Sequence, residues 1–412
     1  MIGAGRRYTT PMGFAGVACL MVACSGDGAD ARTAAVVRDS AGVQIVENAA
    51  AAWSEAEAPR LADAPALVIG DASGEGADAL YRVAAVHRRP DGRLVVADGG
   101  SAQLRIYGAD GALLHVAGGE GGGPGEFRRL TWLDVGADDS ILAYDAGQRR
   151  FAVFDDTGAF VRVFAPAATG DRPTIARPVA LLRDGDVVAT QSTLLGDGPP
   201  TLDAPVRDTV AFVRIGRDGA VRELAARVPG DERVIHMSPG AVEIVTPPFA
   251  PRLVVAADGD RLYAARGDGY ELAQYDTTGR LLRLVRVPGL ERRVASEDVE
   301  AHIERVTAGT TDPAARQRRA AGLRALPVRE RMPAVAQLVV DDAGRLWAMD
   351  FLAPRDSAAT WRVFDAEGGY LGTVSMPRTF TVHEIADDRV LGVYRDENDV
   401  EQVRVYALED GR

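Results

Sequence analysis

Short apolar runs alternate with Asp-Gly turns along most of the chain. "DGRLVVAD" (Asp91 to Asp98) is followed by "AQLRIYGADGALLHVAG", and "DSILAYDAGQRRFAVFDDTGAFVRVF" repeats the scheme from Asp139. The unit returns at Asp184, Asp258, Asp342 and Asp387. Each unit reads strand, turn, strand, turn, strand. Apolar side chains recur at every second position, as Leu94 and Val96 do, and the turns use Asp, Gly and Asn, which tolerate positive φ. The marks at 91, 139, 184, 258, 342 and 387 lie 48, 45, 74, 84 and 45 residues apart. Three of these gaps fit a four-stranded propeller blade of about 40 to 50 residues. The pattern therefore predicts an all-β, six-bladed β-propeller whose two long gaps carry insertions.

The second insertion interrupts the strand pattern with a helical one, over roughly 296–326. Ser296 is placed to cap it, Glu297 and Asp298 fall in its first turn, and Val299, Ile303 and Val306 follow at helical spacing. Asp312-Pro313 opens a second helix in the order of cap and first-turn proline. The first insertion, around Leu194 to Arg207 and again around Asp231 to Pro251, is rich in proline and turn residues and reads as extended loops. A propeller must also close. The last unit ends about one strand short, and "AVVRDSAGVQIVEN" (Ala35 to Asn48) has no blade of its own. Pairing that segment into the last blade would join the termini and remove an exposed edge.

The N-terminus adds a location. Arg6 and Arg7 precede an apolar run from Met12 to Ala23. That run is too short for a spanning helix, which takes about 20 residues. The order is that of a secretory signal peptide. Met21-Val22-Ala23-Cys24 resembles a bacterial lipobox, which implies cleavage after residue 23 and lipidation of Cys24. Residues 1–23 are thus read as a lipoprotein signal peptide, 24–35 as a flexible tether and 36–412 as the propeller. Ser25 after the cysteine, with no aspartate there, favours the outer membrane. Cys19 and Cys24 are the only cysteines, so the mature chain has no disulfide and no cysteine metal site.

Charge removes several function classes. The formal net charge is −12, which disfavours a nucleic-acid partner. There is no lysine, so Schiff-base chemistry and a Walker loop are excluded. The glycine run "GGEGGGPGEF" (Gly118 to Phe127) lacks a phosphate-loop pattern, and a strand rather than a helix follows it. It reads as a tight connection between blades. Together with "ILAYDAGQRRFAVFDDTG" it resembles the NHL-type six-bladed propellers. In particular it resembles bacterial envelope lipoproteins with a "DSAGVQIVEN"-like start and a "GRLWAMD"-like late blade. The resemblance spans roughly residues 36 to 412 and implies architecture. Binding proteins, lactonases and lyases all share that fold.

Candidate chemistry is sparse. The five histidines, His87, His115, His236, His302 and His383, form no spaced metal motif. His87 and His383 fall on expected inner strands, and His383-Glu384 is the more suggestive pair. Asp98, Asp145 and Asp350 recur at equivalent places, where their carboxylates can satisfy turn amides or ring the channel with oxygen ligands. Arg128, Arg129 and Trp132 follow the glycine run, with Tyr144, Arg149 and Arg150 one strand further on. At the rim, such arginines could fork onto a carboxylate or sugar acid. Two function classes stand. One is a monomeric, envelope-anchored module without a cofactor, binding a ligand, an envelope protein or a glycan. The other is a metal-dependent lactonase-like hydrolase or lyase, with a divalent ion in the channel.

Overall fold

In the computed structural model the chain is described over residues 35–71, 78–169, 174–193, 202–238, 241–266 and 269–411. The expected leader and Cys24 lie outside the described residues. The six turn marks become six sheets arranged in a ring, and each mark sits between the first two strands of its sheet. The innermost strands of blades 1 to 6 are Val83–Arg88, Leu130–Val135, Thr174–Leu181, Val254–Ala257, Val335–Val340 and Phe380–Ala386. Each packs against the innermost strands of the blades before and after it, the sixth against the first, around a central channel. Second strands are sealed between neighbouring blades. Every residue of Leu94–Asp98 and Ile141–Asp145 is buried, which is why these strands read as unbroken apolar runs.

The turn aspartates are structural. At the outer turns Asp155, Asp276, Asp365 and Asp396 each use one carboxylate oxygen to accept the N–H groups two and four residues on, at 2.7 to 3.0 Å. The glycine run connects blades 1 and 2, as its composition implies. Phe127 is fully buried, and its backbone is tied to Gly119 and Gly121. Gly118 has φ +84°, and a Cβ there would lie 2.8 Å from the Phe127 ring, so only glycine fits.

Ring closure follows the expected principle with a different segment. Leu67–Ile69 pairs antiparallel with the last strand, Glu401–Glu409, in the register Ile69↔Val403, and supplies the missing fourth strand of blade 6. The hairpin Val36–Ser40 and Val43–Glu47, expected in the last blade, instead lies on the outer edge of blade 4. There Val43–Glu47 runs parallel to Leu281–Arg286. Val46 is buried in that blade's core. Asn48 is buried too: its amide donates to Gly368 O at 3.0 Å, and its oxygen accepts the Tyr370 N–H at 2.9 Å. The chain then crosses the edge of blade 5, where Trp53 N–H bonds Leu371 O at 2.7 Å and the indole lies against Gly372. Residues 43 to 69 thus form a belt over blades 4, 5 and 6.

The insertions also differ from expectation in one case. The first is not loop. Pro205–Ile215 and Val221–Ser238 pair as long strands that extend blade 3, and Ala241–Val245 adds a fifth. Pro229 and Gly230 sit beside a register shift, where the ladder tolerates them. The second is a helical pair, α1 (Ser296–Thr307) and α2 (Pro313–Ala325). Ser296 does not cap α1; the Asp298 carboxylate accepts the Ala295 N–H at 3.1 Å. Asp312 caps α2 as expected, accepting from Ala314 and Ala315 at 3.1 Å each.

Truncation separates the two N-terminal roles. A chain beginning at Ala49 keeps the closing strand and should fold cooperatively, about 3 kcal/mol less stable for the loss of Val46 burial and the Asn48 bonds. A chain beginning at Gly70 loses the closing strand and should show no cooperative thermal transition by circular dichroism. Equal melting of the two truncations would contradict this closure.

Candidate ligand-binding site

Polar groups gather at several places among the described residues, and two of these are candidate sites. The first lies in the channel. The residues that pair with Val95, Leu142, Val188, Tyr263, Trp347 and Leu391 of the second strands occupy equivalent places, one per blade. They are His87, Asp134, Ala180, Ala256, Val339 and Glu384. The ionisable members come from three consecutive blades, 6, 1 and 2, and the apolar ones from the other three. Glu384 Oε2 accepts the Arg88 N–H at 3.0 Å and lies 3.1 Å from His87 Nδ1. Asp134 Oδ2 accepts the Leu181 N–H at 2.8 Å, and its Oδ1 accepts from Val135 at 2.8 Å. Arg88 and Leu181 are themselves equivalent, so the same carboxylate strap ties blade 6 to blade 1 and blade 2 to blade 3. These N–H groups lie on inner edges with no further strand to pair them, and the straps satisfy them.

Burial raises both carboxyls above their ordinary range, with nearby His87 opposing the shift in each case. His383 is the extra residue of a β-bulge between Val382 and Glu384. It makes no hydrogen bond or ion pair among the described residues, and burial holds its imidazole down to about 4. His383 is half-buried. Among the described residues, no three His, Cys, Asp or Glu side chains converge to hold a metal ion.

The second place is a cavity of about 1060 Å³ between α1, α2, the blade 3 extension and the strand starts of blades 4 and 5. Its walls are mainly apolar: Val234 and Val245 from blade 3, Val254 and Val335 at the two inner strands, Leu323 and Leu326 at the end of α2. Phe249 stands in the wall between the His302 ring (centroids 5.4 Å apart) and Phe351 (6.0 Å). Its φ of +57° is a strained conformation for a bulky residue, and burial with Met332 and Ala353 holds it there. The polar members include Arg252, His302, Arg305 and Arg319. Arg305 Nη2 is 3.4 Å from His302 Nδ1. His302 is held below its ordinary value by burial and then by Arg305 and Arg252.

The two helices are held unequally. In α1, Asp298, Ile303 and Thr307 are buried, and Asp298 pairs with Arg355 of blade 5 at 3.0 Å. In α2 no residue is buried; it meets α1 through the Arg324–Glu300 fork at 3.0 and 2.6 Å. Past α2, Arg329 returns the chain to the body by pairing with the buried Glu232 of blade 3.

Of the residues singled out in the sequence, His302 and Val306 line the cavity, and the other candidates fall elsewhere. Arg128 and Arg129 are exposed at the blade 2 rim, and both backbone N–H groups bond Asp145 at 3.0 Å. Burial opposes ionisation of Asp145, but those two N–H groups and Gln148 outweigh it and hold its carboxyl low. Asp98 likewise accepts the N–H groups of Tyr81 and Gly100, while Asp350 forks onto Arg362 at 2.9 Å twice. Arg150 donates to Gly123 O at 2.6 Å and so holds the glycine run. Arg149 occupies a left-handed turn position, with φ +52°. Trp132 and Tyr144 pack on Phe151, at centroid distances of 6.1 and 4.8 Å, inside the interface between blades 2 and 3. His383 and Glu384 lie in the channel. None of these residues lines the cavity. His115 is exposed on the outer strand of blade 1, and the side chain of His236 lies outside the described residues. The cavity's own residues carried no motif; the signal available was the place of the two insertions in consecutive gaps between marks.

A pH series tests the buried histidine. The folded state resists protonating His383 while the unfolded chain takes the proton near its ordinary value. Wild type should therefore lose stability relative to His383→Gln as pH falls from about 6.5 to about 4, and match its trend above that window. Urea midpoints at several pH values check it; a constant difference across the window would contradict a low folded value.

Comparison with solved structures places the chain among β-propellers. It is similar to a member of the DUF4221 family from Bacteroides vulgatus at 11% identity, covering 86% of this chain and 100% of that one, with a TM-score of 0.54. It is also similar to a Bacteroides fragilis protein described as exported, at 13% identity over 89% of this chain and 100% of that one, TM-score 0.48. A gluconolactonase from Xanthomonas campestris matches at 17% identity over 86% and 99%, TM-score 0.42. No family model matches the chain, and no curated protein matches it in sequence. Among the described residues no helix is long and apolar enough to cross a membrane. At these identities the likeness concerns the fold: a six-bladed β-propeller.

Proposed function

We propose that the protein is a ligand-binding module of the bacterial envelope, with its site in the cavity beneath the helical pair. The observation that carries this reading is the cavity itself: about 1060 Å³, mainly apolar, with a few polar groups, on a closed ring. A pocket of that make-up is the default place for a small molecule. The ring closes without α1 and α2, so the pair adds nothing to the blades that a short connection would not. It adds a roof. In this reading Cys24 carries lipid and tethers a monomer to the outer membrane. The NHL-type lipoprotein resemblance belongs to the same reading. An envelope protein or glycan at the Arg128–Arg129 rim is a further partner class.

A second reading, a hydrolase or lyase working in the channel, is favoured by one observation. His87, Glu384 and Asp134 stand at one level on consecutive blades, and both carboxyls are raised, as acid–base groups often are. Both carboxylates, however, already accept inner-strand N–H groups. Turnover of lactones, or a tightly held divalent ion lost with His87→Ala, would favour that reading over the binding module.

Filling the cavity tests the first reading. Nile red, a neutral fluorescent probe, should bind wild type with saturable emission. Leu323→Trp and Val306→Trp should weaken it at least tenfold with unchanged melting temperature. Undiminished binding by both variants would contradict the cavity as the site.

A further inference from the structure

The cavity's charges are out of balance. Several arginines near the cavity are matched: Arg292 forks onto Asp356, Arg362 onto Asp350 and Arg324 onto Glu300. Arg252, Arg305 and Arg319 are not. Among the described residues none of the three forms an ion pair, yet all three line one cavity, from the lead-in to blade 4, from α1 and from α2. Arg252 and Arg305 are close enough that both lower the proton affinity of His302. Arg305 is itself disfavoured by burial and by Arg378, whose Nη1 is occupied with the carbonyls of Ala353 and Asp356 at 3.0 and 2.5 Å. The carboxylates in the lining, Asp203 and Glu243, stand on the blade 3 wall and pair with none of the three.

Such an arrangement is costly without a counter-ion. Like charges at the mouth of an apolar space repel, and each guanidinium keeps donors that a carboxylate would fill in a fork. Apart from Asp203, Glu243 and Thr246, the remainder of the wall is mainly valine, leucine, proline and phenylalanine. Resting on the cavity reading above, we infer that the ligand has an apolar body and one anionic head of the carboxylate kind. The head is received by Arg305 and Arg252, with Arg319 closing from α2, and the body lies along Val254, Val335, Leu323 and Phe249. A sugar is a poor fit to this wall.

Dansyl-labelled undecanoate and its methyl ester test the head group with the body held constant. The acid should bind the full mature chain saturably, and the ester about tenfold more weakly or worse, a difference of about 1.4 kcal/mol. Arg305→Gln and Arg252→Gln, both at exposed positions, should each weaken the acid about tenfold, leave the ester unchanged and leave melting unaltered. Equal affinity for acid and ester would overturn the anionic head while leaving the cavity reading intact. So would full acid affinity in both arginine variants. Failure of acid, ester and Nile red alike would overturn the head group and the cavity reading together.

Discussion

The pairing of Leu67–Ile69 with the C-terminal strand is the interaction on which the rest depends. Until it forms, blade 6 lacks its outer strand, and the core that Ile69 shares with Leu80, Val403 and Val405 is open. Once the ring is closed, six inner strands surround a central channel, each with one edge that no further strand pairs. The straps from Glu384 and Asp134 answer that geometry at two of the blade junctions. A group that looks catalytic by its burial is, in the first instance, a consequence of closing a ring of sheets.

The insertions depend on the same closure. Both long gaps between turn marks fall in neighbouring blades, so the lengthened strands of blade 3 and the helical pair before blade 5 rise side by side. Neither could shape a cavity alone. The ring fixes the floor at Val254 and Val335, while α1 is pinned by Asp298 and Arg355 and α2 rests on it by surface groups. A stiff floor under a lightly held roof suits a molecule that must enter and leave.

The sequence made the ring legible and the cavity illegible for one physical reason. Asp-Gly turns and two-residue alternation are local, so six blades could be counted from them, as could the Asp312-Pro313 start of α2. Partner choice is not local. Val43–Glu47 has the composition of an edge strand and suits either blade 4 or blade 6; only packing of Val46 and Asn48 decides. The blade 3 extension looked like loops because its proline and glycine mark register shifts within a ladder. Asp134, in "LTWLDV", could have been found by stacking the six units on their turn marks, where it aligns with His87 and Glu384. The cavity residues come from four distant segments and are mostly ordinary apolar ones, so no spacing announces them. Trp132 and Tyr144 show the reverse case. Next to arginines in sequence, they turn inward to pack between blades.

Hydrogen exchange of the free and probe-saturated protein tests the central claim most directly: a closed ring carrying a separable roof over its site. The account predicts that amides of α2, Pro313–Ala325, exchange far faster than those of the inner strands in the free protein. Saturation with dansyl-labelled undecanoate should slow exchange in α2 and around Phe249 while the outer strands of blades 1 and 2 stay unchanged. An α2 as protected as the inner strands in the free protein, or slowing spread evenly over the ring, would contradict it.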